Sequence, residues 1–159
     1  PQGVGVDRIA NALAAARLYR RDTIIVDLGT ATTFDCLGAD GTFFGGVIAP
    51  GLPAGSAWLA SKTPRLPPVA FGPPDRVIGR RTLDCIRSGL FFSAIDAVEG
   101  IVERIRSAWA RPNTLVVGTG GHAGILIAHS RCIDRVNPHL TLVGLKIAGD
   151  HLADGGTVD

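Results

Sequence analysis

The sequence has no methionine and few aromatic residues: two Trp, one Tyr and six Phe in 159 positions. A surface that binds nucleic acid combines a basic stripe with stacking aromatic side chains. Here the formal net charge is +2, and the arginines are scattered apart from pairs such as Arg20–Arg21 and Arg80–Arg81. We therefore expect no nucleic-acid partner. Because the chain starts at Pro1 and lacks an initiator methionine, we expect it to be a processed or truncated piece of a longer protein.

Long apolar runs and paired cysteines are also missing. No stretch approaches the roughly 20 apolar residues of a membrane span, and no secretory leader is recognisable, so we predict no membrane partner and a cytoplasmic location. Cys36, Cys85 and Cys132 are far apart and form no CxxC pair or Cys/His cluster, which argues against zinc. Each lies in an apolar context, so we expect three reduced thiols in the core.

The length and the hydrophobic pattern predict one domain of mixed α/β structure. Three strands form an antiparallel meander and strand–helix units follow, an order that favours a mixed sheet covered by helices. The predicted helices span 6–19, 52–60, 82–108, 123–129 and 140–152, and the predicted strands span 23–27, 32–37, 42–49, 114–117 and 133–136. The apolar spacing in the two longer helices predicts these buried side chains: Ile9, Leu13, Ala16 and Leu18 in the first, and Ile86, Leu90, Ala94, Ala97, Ile101 and Ile105 in the third.

The segment TIIVDLGTATTFDCLGADGTFFGG, residues 23–46, carries the clearest candidate site. A β-branched run ends at Asp27, and a Gly-Thr turn follows at Gly29 and Thr30. The backbone N–H groups of such a turn can bind an anion, while the strand-end carboxylate can hold a cation or a water. The alternative is an ordinary hairpin turn, since Asp, Gly and Thr are common turn residues.

Three further positions are candidates. Asp7, beside Arg8 in GVGVDRIANALAAA, could be a general base, or simply an acid in the first turn of a helix. Thr82 in VIGRRTLD could bond a ligand, although the pattern favours a helix N-cap. The turn GTGGHAG, residues 118–124, follows a strand and opens a helix, a geometry that suits a phosphate or a ribose.

Other motifs of phosphate and acyl chemistry are absent. There is no GxxxxGK[ST] P-loop, and no Ser/His/Asp or Cys/His nucleophile set stands out. The remaining candidate chemistry is transfer to a bound hydroxyl, which needs a base and a phosphate cradle but no covalent intermediate.

Read in order, these segments resemble one family. GVDRIANALAA, VDLGTATTFD, GGVIAPGL, TPRLP, VIGRRT, SGL, GTGGHAG and LTLVGL follow the order and spacing of the type III pantothenate kinases, also called the CoaX or Bvg accessory factor family. The resemblance covers residues 3 to about 147. It implies an RNase H-like half of the actin-like ATPase fold, in which a mixed five-stranded sheet with a β-meander carries flanking helices.

The resemblance also implies roles for residues. Asp7 would be the base that deprotonates the pantothenate hydroxyl, and Asp27 would bind a monovalent cation, usually potassium. The remaining implied contacts are with pantothenate through Gly5, Val6, Asp7, Arg8 and Thr82, and with ATP and its Mg²⁺ region through Gly29, Thr30, Gly120 and Gly121.

Family members begin with a DxGNT phosphate loop and a further half-domain, which this sequence does not contain. We therefore expect a single domain, 1–159, that forms the C-terminal half of a kinase: a linking helix in 1–21, the RNase H-like half in 22–150 and a tail in 151–159. Alone, it is expected to be inactive. The family also implies a homodimer, which we expect to form through the Asp7 helix and the long helix, with Leu90, Phe91 and Phe92 at the contact. The alternatives are a non-catalytic accessory regulator of the same family, or another small-molecule kinase of the acetate and sugar kinase superfold.

Overall fold

A computed structural model describes residues 3–155 of the chain. Within that range five helices and five strands alternate much as the sequence predicts. The helices are α1 (Val6–Tyr19), α2 (Ala54–Lys62), α3 (Thr82–Trp109), α4 (Ala123–Ile127) and α5 (Leu140–Ala153). The strands are β1 (Thr23–Leu28), β2 (Ala31–Leu37), β3 (Phe43–Pro50), β4 (Leu115–Thr119) and β5 (Arg135–Val136).

The strands form one mixed sheet in the order β3-β2-β1-β4-β5. β1, β2 and β3 pair antiparallel as the predicted meander, whereas β4 pairs parallel to β1 and β5 pairs parallel to β4. β1 is therefore central, and its last residues lie between β2 and β4. Asp27 is opposite Thr33 on one side and Thr119 on the other.

Side chains alternate between two apolar layers because successive strand residues point to opposite faces. Ile24, Val26 and Leu28 of β1 join a core under α3 and α4. Ile25 joins a second core under α1 and α5, together with Leu37, Leu115, Val117 and Leu140. The molecule thus has a helix layer on each face of the sheet, and no helix in residues 3–155 is long and apolar enough to cross a membrane.

α1 buries its small residues, not the large ones that the sequence suggested. Ala10, Asn11, Ala12, Ala14 and Ala15 are buried, while Ile9 and Leu13 are 54% and 37% exposed. The reason is the close approach of α5: a Cβ atom at Gly144 would overlap the carbonyl of Ala10. The predicted burial of Ile9, Leu13 and Leu18 is therefore wrong, whereas Ala16 is half-buried and packs against the second core. Ile9 and Leu13 instead line a groove of about 600 Å³ beside the β2–β3 hairpin.

The buried stripe of α3 is rotated by about one residue from the predicted one. Its buried side chains recur at steps of three and four: Ser88, Phe91, Ile95, Val98, Val102 and Ile105. Ile86 is also buried, two residues before Ser88, so Ile86 and Ile105 of the predicted stripe are confirmed. Phe91 is 1% exposed and belongs to the core, so the prediction that it lies at a subunit contact is wrong. Leu90 and Phe92 are half-buried.

Two local predictions also need correction. Cys36 is buried and Cys132 half-buried, but Cys85 is exposed on α3, so only part of the predicted core thiol set holds. At the other end of the chain, α5 continues to Ala153, three residues into the predicted tail. Residues 1–2 and 156–159 of the predicted segments lie outside the described range.

Candidate active site

Asp27 lies at the carboxyl end of β1, where the sheet meets two glycine turns. A Cβ atom at Gly120 would lie 2.5 Å from Asp27 Oδ1, and one at Gly29 would lie 3.7 Å from it. Gly120 has a φ of +88°, a conformation that favours glycine. Both turns that the sequence singled out therefore meet at the same carboxylate oxygen.

The two turns are held by backbone contacts. The Gly29 amide donates to the Ala31 carbonyl over 3.1 Å, and the His122 amide donates to the Leu28 carbonyl over 3.3 Å. A Cβ atom at Gly51 would overlap the Thr30 carbonyl, so the end of β3 packs directly against this turn. Thr30 and Gly121 are exposed beside it. The structure thus brings Gly29, Thr30, Gly120 and Gly121 to one edge of the sheet.

A fully buried amide holds the other oxygen of Asp27. Asn11 Nδ2 donates to Asp27 Oδ2 over 2.9 Å, and Asn11 Oδ1 accepts from Thr141 Oγ1 over 2.7 Å. Burial raises the pKa of Asp27 above its usual value, the hydrogen bond from Asn11 lowers it, and the negative charge of Asp7 raises it. Asn11 and Thr141 were not identified from the sequence, although a lone Asn inside an alanine-rich helix is a signal for a specific buried partner.

Asp7 is exposed in the first turn of α1, where its carboxylate lies over Gly5. Its negative charge contributes to raising the pKa of two carboxyl groups of the sheet, the half-buried Asp27 and the fully buried Asp35 on β2. An exposed carboxylate at this place can reach a bound substrate. The flanking Val6 is exposed as well.

Arg8, one residue further along α1, is bound inside the protein. Its Nε and Nη2 donate to Asp35 Oδ1 over 2.9 and 2.5 Å. Asp35 is fully buried on β2, and burial raises its pKa although Arg8 lowers it. Asp35 Oδ2 has no partner among the described residues. The sequence analysis missed Asp35, which lies 27 positions from Arg8 along the chain.

Thr82 does not join this group within one chain. It is exposed in the first turn of α3, on the opposite face of the sheet from α1, and lines a shallow pocket with Leu59, Cys85 and Leu90. The expected N-cap role is also wrong: the N-cap residue is Arg81, and no side chain caps the helix. Arg81 instead pairs with Asp84 through two 3.0 Å hydrogen bonds.

Asp27 offers a carboxylate oxygen, the ligand type that hard cations prefer. Its Oδ1 lies against the turns at Gly29 and Gly120, and a side chain at Gly120 would collide with this oxygen and with the backbone of Leu28. No group of three or more His, Cys, Asp or Glu side chains in residues 3–155 could hold a metal by itself.

Comparison with known proteins identifies a family that the chain matches. The family model for type III pantothenate kinase matches residues 1–104. Three curated relatives, each named type III pantothenate kinase, come from Dehalococcoides mccartyi, Maricaulis maris and Moorella thermoacetica. The first is 46% identical over 147 residues, or 92% of this chain. The second is 44% identical over 145 residues (91%), and the third is 43% identical over 147 residues (92%). The matched regions are 57%, 56% and 58% of the relatives, so the chain spans a little over half of their length.

A solved structure has the same fold. It is a Campylobacter jejuni protein assigned to the Baf family of transcriptional activators, and it matches with a TM-score of 0.60 and 22% identity. The match covers 96% of this chain and 67% of that one. The fold class is thus as predicted: a mixed five-stranded sheet with flanking helices.

Proposed function

Because this chain belongs to the type III pantothenate kinase family, we propose that it forms the acceptor-side part of a kinase. The kinase transfers the γ-phosphoryl group of ATP to the hydroxyl of pantothenate, the first step of coenzyme A biosynthesis. The observation that carries the proposal is the meeting of the two glycine turns at the strand-end Asp27, on which the charge of the helix-borne Asp7 also acts.

In this proposal each feature has one task. Asp7 accepts the proton of the pantothenate hydroxyl as its oxygen bonds to the γ-phosphorus and the bond to the bridging oxygen of ADP breaks. The turns at Gly29–Thr30 and Gly120–Gly121 border the nucleotide. Asp27 would hold a potassium ion, and Mg²⁺ bound with the ATP phosphates would supply positive charge that neutralises the charge developing during transfer. Arg8 and the backbone at Gly5 and Val6 border the acceptor, and we expect the reaction in the cytoplasm.

The proposal also requires two copies of the chain. If Asp7 and Thr82 both contact pantothenate, one chain cannot supply both, because α1 and α3 lie on opposite faces of the sheet. We therefore propose a homodimer in which Thr82 of one subunit completes the site at Asp7 of the other.

The test of the base uses a chimaera in which this chain replaces the matching region of the Dehalococcoides mccartyi relative. Asp7→Asn keeps the shape of the side chain and removes its basicity, so turnover should fall about a hundredfold or more, the usual scale for a positioned base. Pantothenate affinity should change little. The control is Asp150→Asn, which removes only an exposed contact with Lys146. Steady-state kinetics decide: near-normal turnover of Asp7→Asn removes Asp7 from the mechanism, and an inactive parent chimaera counts against the kinase itself.

The cation has a separate test in the same chimaera. Activity should rise with KCl and much less with NaCl, and Asp27→Ala should lose that difference because the oxygen ligand is gone. Equal rates of the parent in both salts, measured at constant ionic strength, would rule out a specific potassium site.

A further inference from the structure

Asn11 occupies an unusual place for an amide. It is fully buried in the middle of α1, among Ala10, Ala12 and Ala14. A buried amide without partners is costly, yet both ends of this one are bonded: Nδ2 to Asp27 on β1 and Oδ1 to Thr141 on α5. Three elements that are distant in sequence are thus joined through one side chain.

The partners allow one orientation of the amide when Asp27 is ionised. A carboxylate can only accept hydrogen bonds, so the NH₂ group of Asn11 must face it. The Thr141 hydroxyl then donates to Oδ1. If the amide were reversed, Oδ1 would face the carboxylate oxygen of Asp27 and both would repel. The ionised Asp27 therefore decides which end of Asn11 faces it, and the Thr141 hydroxyl, by donating to Oδ1, holds the amide in that position.

The two carboxylate oxygens of Asp27 have different surroundings. Oδ2 is held by Asn11, whereas Oδ1 lies against the turns at Gly29 and Gly120. We propose that Asn11, held in place by the hydrogen bond from Thr141, is a positioning residue that fixes the Asp27 carboxylate so that Oδ1 faces the glycine turns and can bind a monovalent cation. The inference rests on the proposed cation role of Asp27, and it assigns to Asn11 and Thr141 a task that packing alone does not require.

A packing role and a positioning role make opposite predictions at Thr141. Val has nearly the shape of Thr but cannot donate a hydrogen bond, while Ser keeps the hydroxyl and loses a methyl group. If Thr141 acts through its hydroxyl, Thr141→Ser should behave as the parent and Thr141→Val should not. If it only fills space, Thr141→Val should be the silent change.

The experiment uses the chain itself with Tl⁺ as a potassium substitute, observed by ²⁰⁵Tl NMR and by titration of backbone amide resonances. Thr141→Val should weaken Tl⁺ binding about tenfold, the lower end of the effect for residues that orient a metal ligand. It should also shift the Asn11 side-chain amide and the backbone amides of Gly29 and Gly120. Thr141→Ser should leave the affinity and these resonances near those of the parent.

Asn11→Leu, which removes the donor at similar volume, should weaken binding at least as much as Thr141→Val. Circular dichroism checks that each variant is folded, and the Thr141 pair still decides if Asn11→Leu is not. Parent-like resonances and affinity for Thr141→Val would overturn the proposal. If the parent binds no Tl⁺, the proposed cation role fails. The positioning role is then judged by the Gly29 and Gly120 resonances alone: unchanged resonances in Thr141→Val overturn it, and shifted ones uphold it.

Discussion

At the residue scale, the polar groups beneath α1 are arranged as two bonded pairs. Arg8 binds Asp35 and Asn11 binds Asp27, so adjacent turns of one helix each hold a carboxylate of the sheet. Burying a charge without a partner is costly, and breaking a buried pair commonly costs about 3–5 kcal/mol. The first turns of α1 are therefore anchored by polar contacts, and these also set where the exposed Asp7 stands above the sheet.

Cys36 gives a pH-dependent prediction. Burial, with a smaller effect from Asp35, raises the pKa of its thiol from 9.0 to about 11. The folded protein therefore keeps the proton longer than the unfolded chain. This contribution to stability is fully present below pH 9 and is lost as the pH rises towards 11. Replacing the thiol by Ala removes it at every pH.

The free energy of unfolding, measured with urea at several pH values, should thus show a gap between the parent and Cys36→Ala that narrows by about 2 kcal/mol from pH 9 to pH 11. Other titrating groups cancel in the difference. Cys85 provides the internal control: at pH 8 iodoacetamide should modify this exposed thiol in the folded protein and leave Cys36 unmodified. A constant gap across the pH range would show that the Cys36 thiol titrates normally.

Whether a residue of the site could be predicted depends on how far its partner lies along the chain. Asp27, Gly29 and Thr30 were predictable because a strand-end acid and its turn are adjacent in sequence. Asn11 meets Asp27 across 16 positions and Thr141 across 130. Such pairings depend on which helix covers which strand, and no local pattern contains that information.

At the element scale, the contact between α1 and α5 depends on small residues. A Cβ atom at Gly144 would overlap the backbone of Ala10, whereas one at Gly149, on the same helix, would meet nothing within 4 Å. Gly144→Ala should therefore force the helices apart and destabilise the protein by about 2–3 kcal/mol. Gly149→Ala should stabilise it by roughly 0.5–1 kcal/mol, because Ala is the better helix former.

Urea denaturation of the two variants beside the parent tests this contact. Equal effects of the two substitutions would mean that α1 and α5 do not approach as closely as described. The same contact explains why the buried face of α1 was mispredicted from its apolar spacing. Hydrophobic periodicity assumes that the largest apolar residues face the core, but here the alanines do so, since α5 leaves no room for Ile9 or Leu13. The strands were predicted well because a short run of β-branched and other apolar residues that ends at a turn is a local signal.

At the scale of the whole molecule, the two helix layers separate the predicted acceptor contacts. Asp7 lies above one face of the sheet and Thr82 at the start of the helix on the other. The sequence could place both residues on helices, but it could not show that the sheet stands between them. Under the proposed dimer, a site that uses both residues would be shared between subunits.

Mixing inactive variants of the chimaera tests whether the site is shared. In an equal mixture of Asp7→Asn and Thr82→Val, random exchange makes half of the dimers mixed. Each mixed dimer has one intact site, so about a quarter of the parent activity should return. The matched control is Asp7→Asn mixed with Asp27→Ala. Both of these residues belong to the same face, so every mixed dimer has two defective sites and activity should stay low. Native mass spectrometry measures the fraction of mixed dimers. If mixed dimers form and the first mixture stays as inactive as the control, Asp7 and Thr82 do not act across a subunit boundary.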